Sequence, residues 1–199
     1  MMRPVIVFAT ANENKASEVR ELLKDLFEVK SLTDIGCFED IPETSNTLQG
    51  NARQKARFVK DNFGFDCFAD DTGLEVEALN GAPGVYTARY GGPNKDAQEN
   101  MTHLMSELSK VGASTPASRS AQFRTAIHLI IDSKDIELQG ICKGTIANEQ
   151  SGTAGFGYDP IFIPEGESRT FSEMSSREKN AISHRGRAIQ SMLLHLGVK

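Results

Sequence analysis

"DCFADDTGLEVEAL", Asp66 to Leu79, is the stretch on which the fold turns. Its first half is an apolar run that ends in two adjacent aspartates, Asp70 and Asp71. Its second half alternates apolar and acidic residues. The pattern predicts two strands, "DCFADD" and "LEVEAL", broken at Gly73. Strand ends hold side chains rigidly at an edge. Two neighbouring carboxylates there repel each other and admit two readings: a cap for the next turn, for which Asp is suited, or a site for a cation.

Working outward toward the N-terminus, "PVIVFAT" from Pro4 to Thr10 reads as a short, buried, β-branched strand. A helix follows from about Asn14 to Leu26, with Val19, Leu22, Leu23 and Leu26 on one face. "FEVKSL" alternates like a second strand. Residues 33–47 form a polar loop with Gly36 and Pro42. A second helix from about Leu48 to Asn62 carries the stripe Leu48, Ala52, Ala56, Val59. Toward the C-terminus, "NGAPG" at 80–84 is a turn, and a third helix spans roughly Lys95 to Val111 with Met101, Leu104, Met105 and Leu108 facing in. "GASTPAS", 112–118, is a loop. "AQFRTAIHLIID" and "IELQGICKGTIA" flank "SKD" as a long antiparallel hairpin. "GTAGFGYDPIFIP" is a glycine-rich turn feeding a strand. Ser175 with Glu178 forms a capping box for a short helix. Ser183 caps a last helix that buries Ile189, Met192, Leu193 and Leu196. This order is mixed α/β rather than a regular βαβ alternation.

The 199 residues suit a single domain, 1–199, with two lobes. With 39% apolar and 25% charged residues, the composition is that of an ordinary soluble domain. No apolar run reaches membrane-spanning length and no signal-peptide pattern opens the sequence. A net charge of −5 argues against a nucleic-acid binder, which carries a basic excess. Cys37, Cys67 and Cys142 form no CxxC and read as buried or half-buried free thiols in a reducing cytosol.

Five segments carry chemistry. In "TANENK", Thr10 to Lys15, a strand runs into a helix and presents backbone N–H groups at a positive dipole end. Thr10 and Asn12 add donors and Lys15 a charge. An anion site and a capped helix with a solvated lysine are both open. In "NARQKA", Asn51 and Lys55 share one helix face at i, i+4, which by itself reads as a surface pair. Glu43 precedes them in a loop that also holds Glu39 and Asp40. The aspartate pair, with Glu43 as a second carboxylate, matches what Mg²⁺ takes: one or two carboxylates, waters and substrate phosphates. In "GFGYD", Gly155 to Asp159, two glycines bracket an aromatic, either as a ligand-facing turn or as a tight turn with Phe156 in the core. "REKNAISHRGRA" gathers Lys179, His184, Arg185 and Arg187 near a helix start, where cations are unfavourable unless something negative or electron-rich binds. His184 alone reads as a surface histidine. Walker A is absent from the chain, and the four histidines lack metal-ligand spacing.

Together, "FATANENK", "NARQKA", "ADDTGLEVEALNGAPGVYTARYGG", "GFGYDPIF" and "EKNAISHRGRA" closely resemble one family: the nucleoside-triphosphate pyrophosphatases that act on inosine and xanthosine triphosphates. The segments occur in family order from the first strand to the last helix. Ala11 stands where many members have glycine, and Thr72 where serine is common. The resemblance implies an elongated, two-lobed α/β fold with a mixed central β-sheet and flanking helices. It implies a cytoplasmic, Mg²⁺-dependent homodimer that splits NTP (ITP, dITP, XTP) into NMP and pyrophosphate, without nucleic-acid or membrane partners. It assigns Asp71 as general base and, with Glu43, as metal ligand. It assigns substrate contacts to the Thr10–Lys15 loop (Thr10, Ala11, Asn12, Glu13, Asn14, Lys15), Lys55 and Thr72. Phe156, Gly157, Tyr158, Asp159, Lys179, His184 and Arg185 would line the nucleotide and base pocket. The rivals are an aspartyl-phosphate phosphatase, whose DxDxT lacks a residue here, a non-hydrolysing nucleotide sensor, and a pyrophosphatase for modified pyrimidines.

Overall fold

A computed structural model describes residues 3–132 and 134–198. In chain order the regular elements are β1 (Val5–Phe8), α1 (Glu13–Leu23), β2 (Glu28–Lys30), α2 (Leu48–Phe63), β3 (Cys67–Val76), β4 (Pro83–Gly84), α3 (Ala97–Lys110), β5 (Ser120–Ile131), β6 (Lys134–Ile146), β7 (Phe162–Pro164), α4 (Ser176–Ile182) and α5 (His184–His195). The seven strands form one mixed sheet in the order β2-β1-β3-β5-β6-β7, with β4 paired to β3.

The chain divides into two compact units, each built from separate segments. The first comprises Met1–Asp71, Thr125–Gly140 and Gly186–Lys199; the second comprises Thr72–Arg124 and Ile141–Arg185. In the first, β1 pairs in parallel with β2, from Val5↔Glu28 to Val7↔Lys30, and with β3 at Val7↔Cys67 and Phe8↔Phe68. A parallel strand is covered on both faces, which is why β1 is an unbroken apolar run. Alternate residues serve the two cores. Ile6 and Phe8 pack with Val19 and Leu23 of α1 and with Ala188, Ile189 and Met192 of α5. Val7 and Ala9 pack with Ala56 and Val59 of α2. The rings of Phe8 and Phe68 stack at 4.7 Å where β1 meets β3. In the second unit, one core joins Leu74 and Val76 to Met101, Leu104 and Leu108 of α3 and to Phe123, Tyr158, Phe162 and Phe171.

Several expected boundaries move. Gly73 does not break the strand: β3 runs from Cys67 to Val76 as one element. β4 pairs antiparallel with its second half, at Leu74↔Gly84 and Glu75↔Pro83, and this pairing outweighs glycine's weak strand preference. Hence "NGAPG" holds a two-residue strand as well as a turn. "LEVEAL" ends its strand at Val76, and Glu77–Leu79 is a 3₁₀ turn. α1 starts earlier and ends earlier than its apolar period, because Asn12 caps it by accepting from the Lys15 N–H and the chain turns after Leu23. α3 is capped by Asp96. The capping box of Ser175 and Glu178 is present at α4, and Ser183 is the C-terminal cap of that helix, immediately before α5. The hairpin β5–β6 forms, with Ser133 of "SKD" outside the described residues.

Candidate active site

The first unit gathers charge around the end of its part of β3. Asp70 is mid-strand and 1% exposed, so it caps no turn. It accepts from Lys15 Nζ of α1 at 2.8 Å, which takes Lys15 out of the solvated-lysine reading. Asp71, on the opposite side of the strand, accepts from Asn51 Nδ2 at 3.0 Å. Asn51 and Lys55 of α2 are not a surface pair: Asn51 is buried, and Lys55 Nζ donates to Glu43 Oε1 at 2.5 Å. α2 is capped by Thr47, whose hydroxyl accepts from the Gly50 N–H. The cap brings the loop ahead of the helix back along the face that bears Asn51 and Lys55.

The electrostatics follow from this packing. Burial pushes the Asp71 carboxyl up, against the pull of Lys55, Lys15 and the Asn51 hydrogen bond. Burial draws the Lys55 ammonium down, but Asp71, Asp70 and Glu43 outweigh it and the net shift is upward. Three carboxylates therefore act on one ammonium. At the head of α1, Thr10 Oγ1 accepts from the Asn12 N–H at 3.1 Å and Thr10 is buried. Ala11 and Asn14 are exposed, and Glu13 is taken up by Arg20 at 3.0 Å.

The second unit assembles an aromatic and cationic set. Gly155 has φ +78°, and a Cβ on it would lie 2.1 Å from Asp159 Oδ2, so only glycine lets the turn close. That oxygen accepts from the Phe156 N–H at 2.8 Å and from Lys179 Nζ at 2.7 Å. Phe156 is half-buried rather than core, with Lys179 Nζ at 4.8 Å and the Arg185 guanidinium at 5.6 Å from its ring centroid. Gly157 also has positive φ. Tyr158 turns its ring into the core and donates its hydroxyl to the Thr87 carbonyl at 3.0 Å. His184 is no surface histidine. It is 4% exposed and stacks on Phe123 at 4.4 Å, and Arg185 is 3% exposed. Thr72, the first residue of this unit, is half-buried on β3.

A model of the Ham1 family matches residues 6–195. The chain belongs to the Ham1 family. Relatives include the dITP/XTP pyrophosphatase of Flavobacterium johnsoniae, 50% identical over 188 residues that cover 94% of this chain and 95% of the relative. The protein of the same name from Porphyromonas gingivalis is 51% identical over 187 residues, covering 94% of each. Among solved structures, a HAM1 protein from Coxiella burnetii superposes with a TM-score of 0.87 at 38% identity, covering 98% of both chains. The Ham1 protein of Staphylococcus aureus gives 0.83 at 36% identity, over 97% of this chain and 98% of that one.

Within this Ham1 chain, the sequence reading named Asn51 only as half of a surface pair and did not single out Gln54. Asn51 carries the direct hydrogen bond to Asp71, and Gln54 binds the Glu43 loop through Thr44. The available signal was the i, i+3, i+4 spacing of Asn51, Gln54 and Lys55 on one helix face. Among the described residues, no three His, Cys, Asp or Glu side chains group as a dedicated metal cage. Glu43 and Asp71 offer hard carboxylate oxygens, and both act on the same Lys55 ammonium. That donor set fits Mg²⁺, which completes its shell with waters and substrate phosphates.

Proposed function

We propose that this Ham1 protein hydrolyses ITP, dITP and XTP to the nucleoside monophosphate and pyrophosphate, and so clears aberrant purines from the nucleotide pool. The observation that carries the reading is Asp71: a half-buried carboxylate with raised proton affinity, held by Asn51 and flanked by lysines. A base needs affinity for the proton it removes, and burial supplies it. The names borne by the Flavobacterium and Porphyromonas relatives support the substrate class.

In this reading Asp71 takes a proton from water as the oxygen bonds to the α-phosphorus. The α–β bridging P–O bond breaks and pyrophosphate leaves. Lys15 and Lys55 exchange their carboxylate partners for phosphate oxygens, and Thr10, Asn12 and the backbone at the head of α1 position the chain. Glu43 and Asp71 would hold Mg²⁺, which when bound draws negative charge from the phosphates. Phe156 offers a face for the purine. Arg185 and His184 offer donors for the 6-keto oxygen, and the Lys179–Asp159 pair fixes the turn. Thr72 lies next to Asp71 in the chain and contacts substrate.

The same reading includes a homodimer of single-domain subunits in the cytoplasm, acting on free nucleotides and not on nucleic acid. No helix among the described residues is long and apolar enough to cross a membrane. The deciding assay measures pyrophosphate and orthophosphate released from ITP, XTP, dITP, ATP and GTP, with Mg²⁺ and with a chelator. Pyrophosphate from the 6-keto substrates, abolished by chelator, is expected. Orthophosphate as the product points instead to a phosphatase.

A further inference from the structure

We infer that Asn51 is a positioning residue that ties the Glu43-bearing loop to Asp71 through the two ends of one carboxamide. The inference rests on the reading of Asp71 as the base. Asn51 is 2% exposed, and both ends of its amide are engaged. The Ser45 backbone N–H lies 2.9 Å from Oδ1 and can only donate, which fixes the orientation of the amide. Nδ2 is thereby turned to Asp71 Oδ2, at 3.0 Å, as a donor to an acceptor. One carboxylate oxygen is held, so the direction of the other is set.

The neighbouring positions of α2 serve the same loop. Gln54 Oε1 accepts from the Thr44 and Ser45 N–H groups at 3.1 and 3.2 Å, and its Nε2 donates to Thr44 Oγ1 at 2.7 Å. Lys55 binds Glu43 itself. Gly50 leaves the space. A Cβ there would lie 1.9 Å from Ser45 Oγ and 2.6 Å from Ser45 Cβ, so the loop rests on bare helix backbone. Residues 43–45 are thus laid on one helix face, and Asn51 hydrogen-bonds both to this loop and to Asp71. The two carboxylates assigned to metal are set relative to each other through this amide. A displacement of about 1 Å at a reacting group costs on the order of a hundredfold in rate.

Two variants separate the ends of the tether. Asn51→Asp keeps an oxygen for the Ser45 N–H but turns a second carboxylate oxygen toward Asp71. Gly50→Ala keeps the Asn51–Asp71 bond and pushes the loop away. The readouts are kcat and KM for ITP per folded molecule at saturating Mg²⁺, and hydrogen exchange of the 43–45 amides without metal or nucleotide. For Asn51→Asp, kcat falls by about a hundredfold or more, with KM within about threefold and exchange at 43–45 unchanged. For Gly50→Ala, exchange at 43–45 rises by about tenfold or more and kcat/KM falls. A kcat per folded Asn51→Asp molecule within about threefold of wild type, or unchanged 43–45 exchange in Gly50→Ala, overturns the tether. If wild type releases no pyrophosphate from ITP, the reading of Asp71 fails separately, while the exchange result on the loop still stands or falls alone.

Discussion

Asp71 is the residue proposed as the general base, and its environment makes two demands that oppose each other. Burial raises its proton affinity, so the folded chain binds a proton at Asp71 more tightly than the unfolded chain does. The sign follows from linkage: this group favours the fold below its unfolded value and loses that contribution as pH rises through the folded value. At neutral pH the ionised carboxylate is therefore a cost to the metal-free fold. Asp71→Asn keeps the size and removes the charge. Turnover of ITP is expected to fall by about a hundredfold or more, while the melting temperature in chelator at pH 7 rises. The gain in melting temperature shrinks as pH is lowered toward the ordinary carboxylate range. A variant that melts below wild type at pH 7 means that attraction to Lys55 and Lys15 outweighs burial. Cys67 makes a second residue-scale case. Burial pushes its thiol up to about 12, and Sγ donates to the Ala56 carbonyl. All three cysteines are buried thiols outside any disulfide, so a thiol reagent at pH 8 should label none quickly in the native protein and three after denaturation.

At the scale of elements, what was legible is what short-range pattern can encode. The apolar stripes of α2 and α3, the β-branched run of β1 and the hairpin β5–β6 follow from spacing along the chain. Gly73 was misleading because the pairing that keeps β3 extended comes from β4, a two-residue strand with no pattern of its own. The site shows the same division. That Asn51 and Lys55 share a face was readable; that the face is buried was not, because Glu43 lies 12 residues from Lys55 and Asp71 lies 20 from Asn51. His184 looked exposed because Phe123, on which it stacks, is far away in sequence. Asp70 gains its meaning in the same way, from Lys15 across 55 residues. Asp70→Asn leaves that lysine facing a neutral amide and loosens α1 from β3. It should lower stability by about 1–3 kcal/mol and raise KM for ITP, while kcat falls far less than in Asp71→Asn. Denaturant unfolding and steady-state kinetics check both. An equal kcat loss in the two variants makes Asp70 a partner in catalysis.

Over the whole molecule, the groups assigned to phosphate and those assigned to the base fall in different units. Lys15, Lys55, Glu43 and Asp71 belong to the first, and Phe156, Lys179, His184 and Arg185 to the second. This division makes rate and selectivity separable by mutation. Every nucleoside triphosphate carries the same phosphates, so Lys15→Ala should lower kcat/KM for ITP and ATP by a common factor. The base differs. O6 of hypoxanthine accepts, whereas the amino group of adenine donates, and a guanidinium facing that amino group leaves a buried donor unsatisfied. Arg185 is almost wholly buried and lies against Phe156, so little solvent is available to relieve that mismatch. Arg185→Ala removes both the attraction to O6 and the repulsion of the amino group. Activity on ITP should drop steeply and activity on ATP change little, so the ITP:ATP ratio contracts by roughly tenfold or more, about 1.4 kcal/mol. Guanine also presents O6, so the ITP:GTP ratio should hold in the same variant. The measurement is kcat/KM for the three substrates in wild type, Lys15→Ala and Arg185→Ala. If Arg185→Ala scales ITP and ATP by one factor, as Lys15→Ala does, then Arg185 serves phosphate or the fold, and the source of base selection lies elsewhere in the second unit.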